Sequence, residues 1–175
     1  MNYWHDIQPG ESDKMNVIIE VPKGSKNKYE IDKETGIIAL DRVYHSTQDM
    51  PFDYGFVPRT LWDDGDALDV IVLTTHPLAV GIMAKVRPVG IMNMIDTGES
   101  DAKIIAVPVK DARWEGVQDI GDVNKHTLKE MEHYFTTYKS IEGKVVTVGG
   151  FDGKDKAIEA FNKSLDIYNS KFESK

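Results

Sequence analysis

The hydrophobic period changes in the last third of this chain, and the change restricts the folds open to it. In the first two thirds the apolar residues come in short runs bounded by turn-forming residues; in the last third they recur every three or four positions. Val17-Ile18-Ile19-Glu20-Val21 is β-branched and stops at Pro22, as a strand does. Lys28, Glu30 and Asp32 alternate with Tyr29 and Ile31, so a period of two puts the charges on one face and the apolar groups on the other. Lys33-Glu34-Thr35-Gly36 reads as a hairpin turn, and Ile37–Tyr44 as the returning strand, carrying Arg42 among apolar residues. Further strands are predicted at 69–75, 82–92, 102–109 and 144–151. Repeated short strands point to a closed or strongly curved sheet. Leu128, Met131, Tyr134, Phe135 and Tyr138 then follow helical spacing, as do Ile158, Phe161, Leu165, Tyr168 and Phe172. Asp152 is the expected cap of this second helix, with Asp155 in its first turn. The architecture expected is α+β, a small β-barrel with two helices packed outside it.

With 175 residues and no linker-like or repetitive segment, the chain reads as one domain, 1–175. It has no cysteine, which excludes disulfides, thiol nucleophiles and cysteine-based metal sites. Any metal must therefore be held by oxygen or imidazole. Twenty-one basic residues face 29 acidic ones, a formal charge of −8 that disfavours nucleic acid and anionic lipid as partners. The start, Met-Asn-Tyr-Trp-His-Asp, lacks the basic and apolar blocks of a secretory signal, so a cytoplasmic address is expected. The most apolar stretch, 78–86, is broken by Gly81 and Lys85 and falls far short of the roughly 20 residues a membrane helix needs.

The densest chemical signal is Asp63-Asp64-Gly65-Asp66-Ala67-Leu68-Asp69, four carboxylates in seven residues with no base among them. Carboxylates crowded together raise one another's pKa, and a divalent cation reverses that by favouring every ionised oxygen. Mg²⁺ and Mn²⁺ want such hard donors. A solvated acidic turn remains the alternative for this segment alone. An EF-hand is excluded, because a loop counted from Asp64 would need glycine where Asp69 stands and glutamate where Thr75 stands. A second acidic turn runs from Asp96 to Lys103 through Glu99 and Asp101, and two such loops could share one rim of a barrel. Taken alone it looks like an ordinary Asp- and Ser-rich turn.

Lys28, Arg42, Tyr54, Tyr138 and Lys139 form a cationic and phenolic set. Arg42 stands out, since a guanidinium in a largely apolar strand needs a carboxylate or phosphate for its fork of donors. The five histidines form no metal-ligand motif, and no P-loop, dinucleotide fingerprint or nucleophile elbow occurs. They read as structural or interfacial.

Taken in order, Val17–Pro22, Lys28-Tyr29-Glu30-Ile31-Asp32, Leu40-Asp41-Arg42, Asp53-Tyr54-Gly55 and Asp64–Asp69 resemble the soluble family I inorganic pyrophosphatases. The resemblance continues through Arg87-Pro88-Val89-Gly90, Asp96, Asp101-Ala102-Lys103, His133-Tyr134-Phe135 and Tyr138-Lys139, so it spans nearly the whole chain. It implies a closed five-stranded, OB-like barrel with additional short strands. It also implies Mg²⁺-dependent hydrolysis of pyrophosphate to two phosphates by a metal-activated water, without a covalent intermediate. By matched motif position, Asp64, Asp69 and Asp101 would hold the first metal pair. Asp96, with Asp101 and Glu30, would serve the substrate-side ions, and Glu20 would support them from outside. Asp66 would be the general base. Lys28, Arg42, Tyr54, Lys103, Tyr138 and Lys139 would hold the phosphoryl oxygens. The implied assembly is a homohexamer, with the helix bearing His126 and His133 a possible interface.

Three positions depart from the pattern. Ala67 stands where proline is usual, Thr97 beside Asp96 where an acid is frequent, and Met50 where a tyrosine is frequent. Weaker support for the substrate-side metals, rather than loss of activity, is expected. Two rival readings stay open here: a barrel-type binding module using the acidic loops for a structural cation, and hydrolysis of a nucleotide phosphoanhydride.

Overall fold

A computed structural model describes residues 1–173. Its strands are β1 (Gly10–Glu11), β2 (Lys14–Val21), β3 (Asn27–Ile31), β4 (Ile38–Val43), β5 (Asp53–Phe56), β6 (Asp69–Val72), β7 (Met83–Asp96), β8 (Glu99–Ser100), β9 (Lys103–Pro108) and β10 (Val146–Gly153). Two α-helices follow the expected periodicity, α1 (Lys125–Thr137) and α2 (Lys154–Phe172). β2 pairs with β5, β5 with β6, β6 with β9, β9 with β7, and β7 back with β2, so five strands close a ring. Only the β6–β9 pair is parallel among the described residues. β1, β8 and β10 extend the ring, and β3 and β4 form a separate hairpin. The α+β architecture expected from the periodicity is therefore the one observed.

Strand pleating divides the core. Ile71, Ile105 and Val107 point to one side, where they meet Met131 and Phe135 of α1. Their neighbours Val70, Val72, Ile104 and Ala106 point to the other, against Ala157, Ala160 and Phe161 of α2. A third cluster joins Trp4 to Ile18, Ile31, Phe56, Ala67 and Tyr168. Because alternate residues share a face, Asp69 lies on the side of Ile71, and Lys103 on the side of Ile105. Register then sets Asp69 directly against Lys103.

Three expectations need correction. Asp152 does not cap α2, because β10 runs on to Gly153, which takes the cap position without a side-chain bond. Asp152 instead accepts a 2.7 Å bond from the Asn93 side chain across the β7–β10 pair. The strand carrying Arg42 is not an apolar one packed inside; β4 is largely exposed, Leu40 and Val43 included. Finally, Asp53-Tyr54-Gly55, taken from sequence only as a motif, is a strand of the ring. Four residues with a glycine among them leave too little pattern for a period to show.

The β3–β4 turn behaves as expected. Asp32 Oδ1 accepts from both the backbone N–H and the hydroxyl of Thr35, each at 2.7 Å, and Gly36 adopts a positive φ of 72°.

Candidate active site

A cavity of about 450 Å³ opens where the ring, the β3–β4 hairpin and the end of α1 meet. Both acidic loops reach it: Asp64, Asp66 and Asp69 from one side, Asp96, Glu99 and Asp101 from the other. Glu20 of β2, Lys28 and Glu30 of β3, Tyr54 of β5 and Lys103 of β9 line it too, as do Tyr138 and Lys139 just beyond α1. Arg42 does not line the cavity. It sits opposite Lys28 in the hairpin register, its Nη1 donating to Asp41 at 2.8 Å.

Each group is placed by an identifiable local cause. The loop bearing Asp64 and Asp66 is closed by bonds from Trp62 N to Asp66 O (2.7 Å) and from Gly65 N to Trp62 O (3.0 Å). Asp64 Oδ1 accepts from Asp66 N at 3.0 Å, a local Asx bond that fixes the Asp64 carboxylate against the Asp66 backbone. Tyr54 depends on Gly55. A Cβ there would come within 1.9 Å of Ile18 O, so glycine is what lets β5 lie against β2. Asp96 ends β7 at a tight turn in which Thr97 and Gly98 both have positive φ, 52° and 88°. Positive φ is unusual for a β-branched residue, and Thr97 Oγ1 donates back to Asp96 at 2.8 Å.

The electrostatic centre is Lys103, 2% exposed. Its Nζ donates to Asp69 (2.7 Å), Asp101 (2.7 Å) and the Tyr54 hydroxyl (2.9 Å). The Tyr54 hydroxyl donates in turn to Asp69. Burial alone would favour neutral Lys103, but Asp69 and Asp101 outweigh it and hold the ammonium charged. One buried cation does not neutralise so many acids. Burial pushes Asp101 up to about 7, with Lys103 opposing and Asp69 adding to the shift. Asp64 is pushed up to about 6, again chiefly by burial, with repulsion from Asp69 and Asp66 contributing. Buried Glu20 is raised well above the carboxylate range by desolvation and by Asp69, although Ile31 N donates to it at 2.8 Å.

The other cations answer the remaining acids. Lys28 donates to Glu30 at 2.9 Å, Lys139 pairs with Asp96, and Lys33 pairs with Asp66. Burial disfavours the Asp96 carboxylate, but its bonds from Lys139 and Thr97 hold it below its ordinary range. Lys33 was read from sequence as part of a turn only. Met50 and Phe135 line the cavity too, and so do Trp4 and Tyr44, which no sequence signal marked as site residues.

Among the described residues no three carboxylates or imidazoles converge into a ready-made cation cage. The donor chemistry nevertheless fits hard divalent cations. All the candidate ligands are carboxylates; apart from the Met50 thioether no sulfur lines the cavity, and no imidazole does, while the raised Asp64 and Asp101 mark negative charge that lysines leave uncompensated.

A family model described as "Inorganic pyrophosphatase" matches residues 17–169. The chain is 40% identical over 170 residues to an inorganic pyrophosphatase of Picrophilus torridus, covering 96% of each. It is 53% identical over 137 residues to that of Leifsonia xyli, covering 78% of this chain and 84% of the relative. The crystal structure of the inorganic pyrophosphatase from Thermus thermophilus superposes with a TM-score of 0.92 at 41% identity, covering 97% of this chain and 99% of that one. Matched by that family model over most of its length and 40% identical to a relative across 96% of it, on the same fold, this chain belongs to the inorganic pyrophosphatase family.

Proposed function

We propose that the chain acts as one catalytic domain that hydrolyses pyrophosphate to two phosphates with Mg²⁺, through the side chains gathered at this cavity. The observation that carries the assignment is that carboxylates from 64–69 and 96–101 face Lys28, Lys103 and Lys139 across one space. Pyrophosphate is a polyanion that repels an incoming hydroxide. Asp64, Asp69 and Asp101 would hold the first metal pair, and Asp96, Asp101 and Glu30 the substrate-side ions, with Glu20 behind them. Bound there, divalent cations would supply charge neutralisation and lower the pKa of water.

The chain's own groups do the rest. Asp66, close to the metal-binding carboxylates, takes the proton of the attacking water. In the ligand-free protein Lys28 and Lys139 neutralise Glu30 and Asp96. With those carboxylates engaged by divalent cations, the ammonium groups of Lys28 and Lys139 would be free to hold phosphoryl oxygens. Tyr54, Lys103 and Tyr138 form the floor beneath the substrate, and Arg42, outside the cavity wall and paired with Asp41 in the ligand-free protein, would turn in from the hairpin beside Lys28 to reach it. Lys103 need not move, because its carboxylate partners keep it charged. No covalent intermediate is required, and no serine, threonine or histidine side chain lines the cavity except Thr97.

The test is phosphate release from pyrophosphate with Mg²⁺ and with chelator; absence of metal-dependent release from folded protein would overturn the reading. Asp66→Asn should lose about 10²–10⁴ of turnover while still binding Mg²⁺ by calorimetry. A panel containing nucleoside triphosphates separates the reading from nucleotide hydrolysis. We further propose a cytoplasmic homohexamer. Among the described residues no helix is long and apolar enough to cross a membrane.

A further inference from the structure

We infer that Tyr44 is a substrate-binding residue, its phenolic hydroxyl donating a hydrogen bond to a phosphoryl oxygen of pyrophosphate. The inference rests on the pyrophosphatase reading and adds to it a group that no matched motif contains.

Tyr44 follows directly after β4, and its backbone N–H donates to Lys26 O at 2.9 Å, tying it to the segment before β3. The side chain is 9% exposed and lines the catalytic cavity beside Met50 and Tyr138. The charges acting most strongly on its hydroxyl are those of Lys28, Arg42 and Lys103, three of the cations assigned to the phosphoryl oxygens. Ammonium and guanidinium groups have donors and no acceptor. None of the three can receive the Tyr44 hydrogen, so the acceptor they jointly favour is an anion.

The protein does not otherwise commit that hydrogen. The neighbouring hydroxyl of Tyr134 is sealed from solvent, and its interaction with Tyr44 raises the pKa of Tyr134 while lowering that of Tyr44, so Tyr134 is the donor of the pair and the Tyr44 hydrogen stays free. Tyr54 already donates to Asp69. Met50, on the same wall, offers only a thioether, which cannot donate. Tyr44 is therefore placed as a phenolic donor on the side of the cavity where the hairpin cations lie.

Tyr44→Phe tests this, because it keeps the ring and removes only the hydroxyl. Three quantities are measured on wild type and variant: kcat/KM for pyrophosphate with Mg²⁺, the affinity for the non-hydrolysable analogue imidodiphosphate, and the melting temperature. Loss of a hydrogen bond to a charged oxygen predicts about a 10- to 100-fold fall in kcat/KM and in analogue affinity, with the melting temperature nearly unchanged. Tyr134→Phe, which removes the other hydroxyl of the pair, should leave both kinetic readings as in wild type. Kinetic values for Tyr44→Phe within twofold of wild type would overturn the inference alone, and so would an equal loss in Tyr134→Phe, which would mark the pair as structural. A wild type that neither hydrolyses pyrophosphate nor binds the analogue overturns the functional reading and this inference with it. Should Tyr44→Phe fail to fold, 3,5-difluorotyrosine at position 44 keeps the ring and hydroxyl but makes the phenol more acidic. Analogue affinity should then fall as pH rises and the phenol ionises, and an affinity profile matching wild type would overturn the inference.

Discussion

Asp64 and Asp101 carry the clearest pH signature at the level of single residues. Both are raised from 3.8, to about 6 and about 7, largely by burial. Between the ordinary and the raised values, the metal-free folded protein holds protons that the unfolded chain gives up. Stability from these two groups is therefore present at low pH and is lost as pH rises through about 6 and 7. Divalent cations compete with the same protons, so their effect has the opposite slope. Scanning fluorimetry should show a larger rise in melting temperature on adding Mg²⁺ at pH 8 than at pH 5; an equal rise at both would remove these carboxylates from the metal-binding set. That the two loops hold such groups was legible in the sequence, because four acids in seven residues with no local base demand an external cation. Lys33 and Tyr44 were not legible. Lys33 matters for the distant Asp66 that faces it, and Tyr44 for the cavity wall that distant segments build around it, and no local period encodes either.

At the scale of elements, the strands that could be read were those with an alternating or β-branched run, and the helices those with clear amphipathic spacing. β5 escaped because Gly55 interrupts its pattern, yet that glycine decides where Tyr54 sits. Gly55→Ala would bring a Cβ to 1.9 Å from Ile18 O, and β5 must move away from β2 to accommodate it. A loss of about 1–3 kcal/mol, the usual range for overpacking, is expected in urea unfolding, together with a fall in kcat/KM because Tyr54 moves with its strand. Unchanged activity in a destabilised variant would show that Tyr54 can be displaced without consequence for the reaction. Asp152 illustrates a different limit. An Asp just ahead of a helical pattern is a good cap only if the chain turns there, and here the preceding strand continues one residue further, to Gly153.

Across the whole molecule, the apolar residues left in water suggest how copies meet. Val80, Ile82 and Met83 are exposed together next to the ring, and Ile141 and Val145 lie exposed beyond α1. Multi-angle light scattering should report a particle near six times the 19.7 kDa chain mass, and Ile82→Lys should shift it toward smaller species. A wild-type monomer would set the hexamer aside without touching the catalytic assignment. The ring itself has a consequence beyond shape. Its one parallel pair joins segments 34 residues apart, and the bond that spans it at the site is Asp69 to Lys103. Slipping β9 by one residue would turn both that lysine and its neighbours to the opposite face. An ammonium would then enter the apolar layer beneath α2 with no carboxylate to meet it, while Asp69 and Asp101 would lose their shared counter-charge. The Asp69–Lys103 pair thus acts as a checkpoint on assembly: only the pairing that builds this cavity also leaves no bare charge in the core.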